Sequence, residues 1–154
     1  MADRRVALCL ARFYGELADK LEQGAREALA DAGITAVESF SVPGAFELPL
    51  IAKYAAESRR FDGVVCLGAV IRGETDHYDS VCRAASSGIL RVALDAGVPC
   101  GFGVLTVDSM AQALERVAGG GKRDSGRHAV EAVLAALDAR DEILGRRGSA
   151  GFVA

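Results

Sequence analysis

Four short apolar runs alternate along the chain with segments of helical period, and this alternation limits the fold more than any other feature. Residues 6–11 (VALCLA) form a continuous apolar run of the kind that makes a buried strand. A helical pattern follows over 15–32, with Leu17, Leu21, Gly24 and Ala28 on one face and Gly33 as a stop signal. Residues 34–40 read as a second strand, Val42-Pro43-Gly44 as a turn, and 46–58 as a short helix. The run DGVVCLGAV at 62–70 is the clearest buried strand. The helix expected after it, over 76–96, carries Val81, Ala85, Ile89 and Val92 on its inner face. A fourth strand is expected over 99–106 and a helix over 109–117, with Asp108 or Ser109 as N-cap. After the break Gly119-Gly120-Gly121, a last helix is expected over 125–144, and residues 145–154 form a tail expected to fray. Strands separated by helices require crossover connections, and crossovers make parallel pairs. The expected class is therefore α/β: a three-layer sandwich with a four-stranded parallel sheet flanked by helices.

Composition narrows the function. A chain of 154 residues, 51% hydrophobic and 25% charged, suits one globular domain. Its 18 basic residues face 21 acidic ones, so a broad basic surface for nucleic acid is excluded, although a local anion pocket is not. No apolar run reaches the roughly 18 residues of a membrane span. The run at 6–11 is also short for a secretion signal, so the expected location is the cytoplasm. The cysteines Cys9, Cys66, Cys82 and Cys100 have no paired spacing, and no metal site is expected. Cys9, Cys66 and Cys100 lie in strand-like runs, where a reduced cysteine acts as a small hydrophobe.

Parallel sheets bind ligands beyond the carboxyl ends of their strands. The residues to weigh are thus Arg12, Phe13 and Tyr14, then 42–47, then 69–77, and Phe102 with the segment beyond it. The segment AVIRGETDHYD at 69–79 joins a buried strand to a helix start. Unpaired backbone N–H groups and the positive end of the helix dipole favour an anion there, such as phosphate. Arg72 adds charge, and Thr75 or Asp76 could cap the helix. Neither a Walker loop nor GxGxxG is present. His77, one or two residues inside the expected helix, lies beside that anion pocket and could move protons near neutral pH, unless it merely faces solvent. His128 reads as a solvent-facing residue of the last helix. In VPGAFELP, the bend at Pro43-Gly44 could push Phe46 toward the ligand edge. The alternative places Phe46 in the core and Glu47 in the first turn of its helix.

The motifs ARFYGELADKLEQGA at 11–25, VPGAFELPL at 42–50, GAVIRGETDHYDSV at 68–81 and GFGVLT at 101–106, followed by Ala113 and Arg116, resemble the lumazine synthase family over nearly the whole chain. The resemblance implies a flavodoxin-like sheet, a cyclic pentamer with sites between subunits, and no cofactor. The implied reaction condenses 5-amino-6-(D-ribitylamino)uracil with 3,4-dihydroxy-2-butanone 4-phosphate. It gives 6,7-dimethyl-8-ribityllumazine, phosphate and water. It implies that Phe13 stacks on the pyrimidine, and that Ala45, Phe46 and Glu47 bind the ribityl chain. Ala69, Val70 and Ile71 would hold the pyrimidine edge. Gly73, Glu74 and Thr75 would form the phosphate loop, and His77 would transfer protons. Phe102 would come from the neighbouring subunit, and Arg116 would clamp the phosphate.

Two positions depart from the family pattern. Tyr14 stands where Asn is usual, and Asp124-Ser125-Gly126 replaces N/D-K-G, so that Ser125 occupies the place of a site lysine. Lys122 or Arg123 could supply that charge, or both are solvated loop residues. The departure leaves a non-catalytic lumazine- or flavin-binding relative as the alternative function. Assembly is expected to stop at a pentamer or two pentamers, short of a sixty-subunit shell. Only five residues precede Val6, and the loop from Arg116 to Gly126 is about one residue longer than in shell formers. The riboflavin synthase that would use the product is a possible pathway partner.

Overall fold

The apolar runs become the four strands of one parallel sheet. The computed structural model describes residues 3–74 and 77–146. In chain order the elements are β1 (Arg5–Ala11), α1 (Gly15–Asp31), β2 (Ala36–Val42), a 3-10 turn (Ala45–Glu47), α2 (Leu48–Glu57) and β3 (Gly63–Ile71). They continue with α3 (Tyr78–Ala96), β4 (Cys100–Val107), α4 (Met110–Glu115) and α5 (Ser125–Ile143). The strand order is β2-β1-β3-β4, with every pair parallel.

The period of two along the strands divides the core between the two faces. Val6, Leu8 and Leu10 of β1 and Val65, Leu67, Ala69 and Ile71 of β3 join Leu17, Leu21, Leu29, Val130, Val133 and Leu137 of α1 and α5. Their strand neighbours Ala7, Cys9 and Ala11, with Val64, Cys66 and Val70, pack on Leu48, Ala52, Ala85 and Ile89 of α2 and α3. All nine residues of β3 are buried, which is why its sequence reads as unbroken apolar. Cys9 and Cys66, register partners, are buried small residues of this second face. Cys100 is half-buried, and burial, with Cys9 nearby, pushes its thiol up to about 12.

The element ends differ from the sequence reading in ways that hydrogen bonding explains. The second strand begins at Ala36 and not at residue 34, because Ile34 still donates to the Leu29 carbonyl in closing α1 (2.9 Å). It runs on to Val42, which pairs with Ala11. The first turn after Gly44 is 3-10, and the α-helix starts only at Leu48. Ser109, not Asp108, caps α4: its hydroxyl accepts from the Gln112 amide (3.1 Å). His77 is the N-cap position of α3 and not a residue inside it. Of the expected inner face of α3, Ala85 and Ile89 are fully buried, whereas Val81 and Val92 are partly so. No helix among the described residues is long and apolar enough to cross a membrane. The expected frayed tail lies, from residue 147 onward, outside the described residues.

Candidate active site

From β1 the chain winds to β2 on one side, and from β3 to β4 on the other. The connections leaving the carboxyl ends of β1 and β3 therefore run in opposite directions, leaving a crevice where an open parallel sheet binds its ligand. A cleft of about 130 Å³ opens there. Phe13 and Tyr14 follow β1 into it, and Gly44, Ala45 and Phe46 follow β2. Ala69 and Val70 end β3, and Val81 looks in from α3. The lining is mostly apolar, and two of its aromatics are strongly exposed, Phe13 at 66% and Phe46 at 61%. Large exposed aromatics around a concave apolar wall mark a surface that something else covers. Phe46 thus faces the cleft, which answers the alternative that would have put it in the core.

The two walls are held differently. Phe13 meets the Tyr14 ring edge to face, with centroids 4.9 Å apart, and the Tyr14 hydroxyl donates to Glu74 Oε1 at 3.1 Å. Burial, then the Glu74 carboxylate, pushes the Tyr14 phenol up to about 12. Glu47 accepts from the Gly44 amide at 2.8 Å, so its carboxylate closes the turn that carries Ala45 and Phe46.

Beyond β3 the chain turns sharply at Gly73, whose φ of +84° is a left-handed conformation that suits glycine. Arg72 Nε bonds Asp108 at 2.9 Å, its Nη1 lies 3.9 Å from Asp79, and its guanidinium stands 4.4 Å over the Tyr78 ring. These partners occupy a charge that the sequence reading offers to an anion. Ile71 is buried at the strand end, and Glu74 is exposed. Thr75 and Asp76 lie outside the described residues. His77 is exposed at the head of α3, and the Val81 amide donates to its carbonyl at 2.9 Å, opening the helix.

Phe102 and Arg116 are not among the residues lining the cleft. Phe102 lies near the start of the edge strand β4, opposite Cys66 and 40% exposed. Arg116, just after α4, donates to the Gln112 carbonyl (2.8 Å) and to Glu115 (3.2 Å). The loop after it is tied back tightly: Lys122 N–H reaches the Glu115 carbonyl (2.7 Å), and Ser125 N–H the Arg116 carbonyl (2.9 Å). Lys122 and Arg123 are exposed on this loop. Asp124 caps α5 by accepting from Gly126 and Arg127 amides (3.0 and 3.2 Å). A Cβ at Gly126 would overlap the Leu21 carbonyl oxygen of α1. Asp124 and Gly126 thus have structural duties that the half-buried Ser125 between them does not share.

Comparison with known proteins agrees with the cleft. The family profile of 6,7-dimethyl-8-ribityllumazine synthase matches residues 3–141. The chain belongs to that family. A 6,7-dimethyl-8-ribityllumazine synthase of Kineococcus radiotolerans is 52% identical over 134 residues, covering 87% of this chain and 81% of that protein. One from Desulfatibacillum aliphaticivorans is 49% identical over 115 residues (73% and 74%), and one from Streptomyces avermitilis 46% over 134 (86% and 83%). Against the family expectation, Phe13, Ala45, Phe46, Ala69 and Val70 converge on one cleft, whereas Phe102 and Arg116 do not reach it within a single chain. Gly44, within the segment 42–47 at the ligand edge, also lines the cleft, and so does Val81, which the sequence shows only as helix core. The Arg72–Asp108 pair joins loops 36 residues apart, and local spacing gives no signal of it.

No group of three or more His, Cys, Asp or Glu able to hold a metal ion occurs among the described residues. His128 is exposed on α5, away from the cleft lining.

Proposed function

We propose that the cleft condenses 5-amino-6-(D-ribitylamino)uracil with 3,4-dihydroxy-2-butanone 4-phosphate, giving 6,7-dimethyl-8-ribityllumazine, phosphate and water. The enzyme is a transferase of riboflavin biosynthesis. The observation that supports this reading is the cleft itself: Phe13, Ala45, Phe46, Ala69 and Val70, five of the residues that the family pattern assigns to the aminouracil, line it at the switch point of the sheet. Phe13 offers a flat face for the pyrimidine, and the ends of β3 offer backbone groups for its edge. The turn of Ala45, Phe46 and Glu47 takes the ribityl chain. The sharp turn at Gly73 precedes the head of α3, where an anion is favoured, and Gly73, Glu74 and Thr75 are the residues assigned to the phosphate.

The primary amine of the uracil attacks the ketone carbon and water leaves as the imine forms. Elimination then expels phosphate, and the second amine closes the ring with loss of water. Each stage moves protons between nitrogen, carbon and oxygen, and His77 is the imidazole beside the anion end of the site. Arg116, brought by a neighbouring subunit together with Phe102, balances the phosphate charge. Lys122 or Arg123 adds to that charge where Ser125 does not. Holding the two substrates face to face supplies much of the acceleration, and no covalent enzyme intermediate is needed. We place this protein in the cytoplasm as a pentamer or a pair of pentamers, handing its product to a riboflavin synthase.

The test is direct. Purified protein given both substrates should develop lumazine absorbance and release phosphate in equal amounts. Protein that binds the aminouracil yet releases no phosphate would be a binding relative and not a synthase.

A further inference from the structure

One contact in the cleft wall has no part in that reaction. The Tyr14 hydroxyl donates to Glu74 Oε1 at 3.1 Å, joining the loop after β1 to the loop after β3 across 60 residues of sequence. Tyr14 is the N-cap of α1, a position where Asn, Asp or Ser would bond the first helical amides, and its side chain makes no such cap. What the side chain does instead is reach Glu74. Its ring is fixed by the edge of Phe13, and its carbonyl accepts from the Ala18 amide at 2.9 Å. The phenol stays protonated far above neutrality and so remains a donor.

Glu74 is the partner that needs an explanation. It is an exposed carboxylate in the segment proposed to receive a phosphate, and like charges repel across a few ångströms. The nearest arginine in sequence, Arg72, is engaged by Asp108 and Asp79 and does not offset it.

We propose that Tyr14 is a positioning residue for the phosphate end of the site: its hydroxyl holds the Glu74 carboxylate toward the loop after β1 and thereby sets affinity for the phosphorylated substrate. The inference rests on the reaction proposed above. It predicts a division of labour in which Phe13 faces the pyrimidine and its neighbour governs the anion.

Steady-state kinetics of the assembled enzyme, with each substrate varied in turn, would test it in Tyr14→Phe, Glu74→Gln and the double variant. Tyr14→Phe keeps the ring and releases the carboxylate. It should raise KM for the butanone phosphate about 3- to 5-fold, the size of an exposed charge effect. KM for the aminouracil and kcat should move less than about 2-fold. In the Glu74→Gln background the same replacement should move KM for the phosphorylated substrate less than about 2-fold, since no charge is left to restrain. An unchanged KM in Tyr14→Phe, equal losses for both substrates, or the same loss in both backgrounds would overturn the proposal. So would weakening of the phosphorylated substrate by Glu74→Gln alone. Calorimetric titration with inorganic phosphate separates this idea from the reaction. If the wild type makes no lumazine, the reaction is refuted, while Tyr14→Phe must still weaken phosphate binding about 3- to 5-fold for the positioning role to stand.

Discussion

At the residue scale, the site depends on single groups placed where backbone geometry leaves them exposed. His77 is the N-cap position of α3, so its backbone opens the helix while its side chain is exposed at that end. Replacing it with Ala removes no core contact, and the protein should stay folded and assembled. General acid–base help is worth roughly 100- to 10,000-fold, and water can replace part of it, so turnover should fall about 10-fold or more. Unaltered turnover in steady-state assays would take His77 out of the mechanism. Tyr14 offers a spectroscopic check. Its phenol is pushed from 10.0 to about 12 when folded, so the unfolded chain loses this proton first as pH rises. The stability it contributes is present below pH 10 and is lost between 10 and about 12. Ultraviolet phenolate absorbance should show a tyrosine titrating near the upper value in the wild type, and Tyr14→Phe should lack that transition. A wild-type titration complete near the ordinary tyrosine value would mean that the bond to Glu74 does not persist in solution.

At the element scale, what could be read from the sequence follows from how local each cause is. The continuous apolar run of β3 is legible because both faces of the strand are covered, and the helix stop at Gly33 because its φ of +78° is a local property. The start of β2 lies later than its apolar pattern suggests because the residues before it finish the cap of α1, a contact between positions five apart. The sequence leaves the position of Phe46 open because the 3-10 turn that carries it depends on Glu47 folding back to the Gly44 amide. Nothing local announces the reach of Tyr14 to Glu74 or of Arg72 to Asp108. The Asp124-Ser125-Gly126 departure becomes interpretable only in three dimensions: the first residue caps α5, the third touches the α1 backbone, and the middle one has neither duty. Two substitutions test this. Ser125→Lys should leave the thermal midpoint nearly unchanged, because a Lys in the first helical turn costs a few tenths of a kcal/mol at most. Gly126→Val should lower it sharply, by the equivalent of about 1–3 kcal/mol, since α1 and α5 must separate to admit the side chain. Equal midpoints for the two variants, followed by circular dichroism, would refute this division of roles. If Lys122 and Arg123 already supply the charge, Ser125→Lys should also leave phosphate affinity unaltered, while their joint replacement by Ala weakens it.

At the scale of the whole molecule, one chain leaves many large apolar side chains exposed. Phe13, Phe46 and Phe102 are exposed, as are Leu50, Tyr54, Leu90 and Leu94 on α2 and α3, and such surface seeks a partner. Closed rings bury it by repeating one contact between different patches of successive copies. In the pentamer proposed above, the cleft of one chain would meet Phe102 and Arg116 of the next, so that every site would be shared. Arg116→Ala alone should then weaken the phosphorylated substrate about 10- to 150-fold, the worth of a charge-assisted contact of roughly 1.5–3 kcal/mol. Sharing has a sharper consequence. Let Arg116→Ala chains, each with an intact His77, be co-assembled in equal amounts with His77→Ala chains, each with an intact Arg116. A site is whole when its cleft belongs to the first kind and its neighbour to the second, which random mixing achieves in about one quarter of sites. Neither parent ring contains any such site. Activity at limiting butanone phosphate should therefore rise on mixing from the low level of both parents toward about one quarter of the wild type. Sites contained within single chains would give only the average of the two parents, and that result would return Arg116 to the cleft of its own chain.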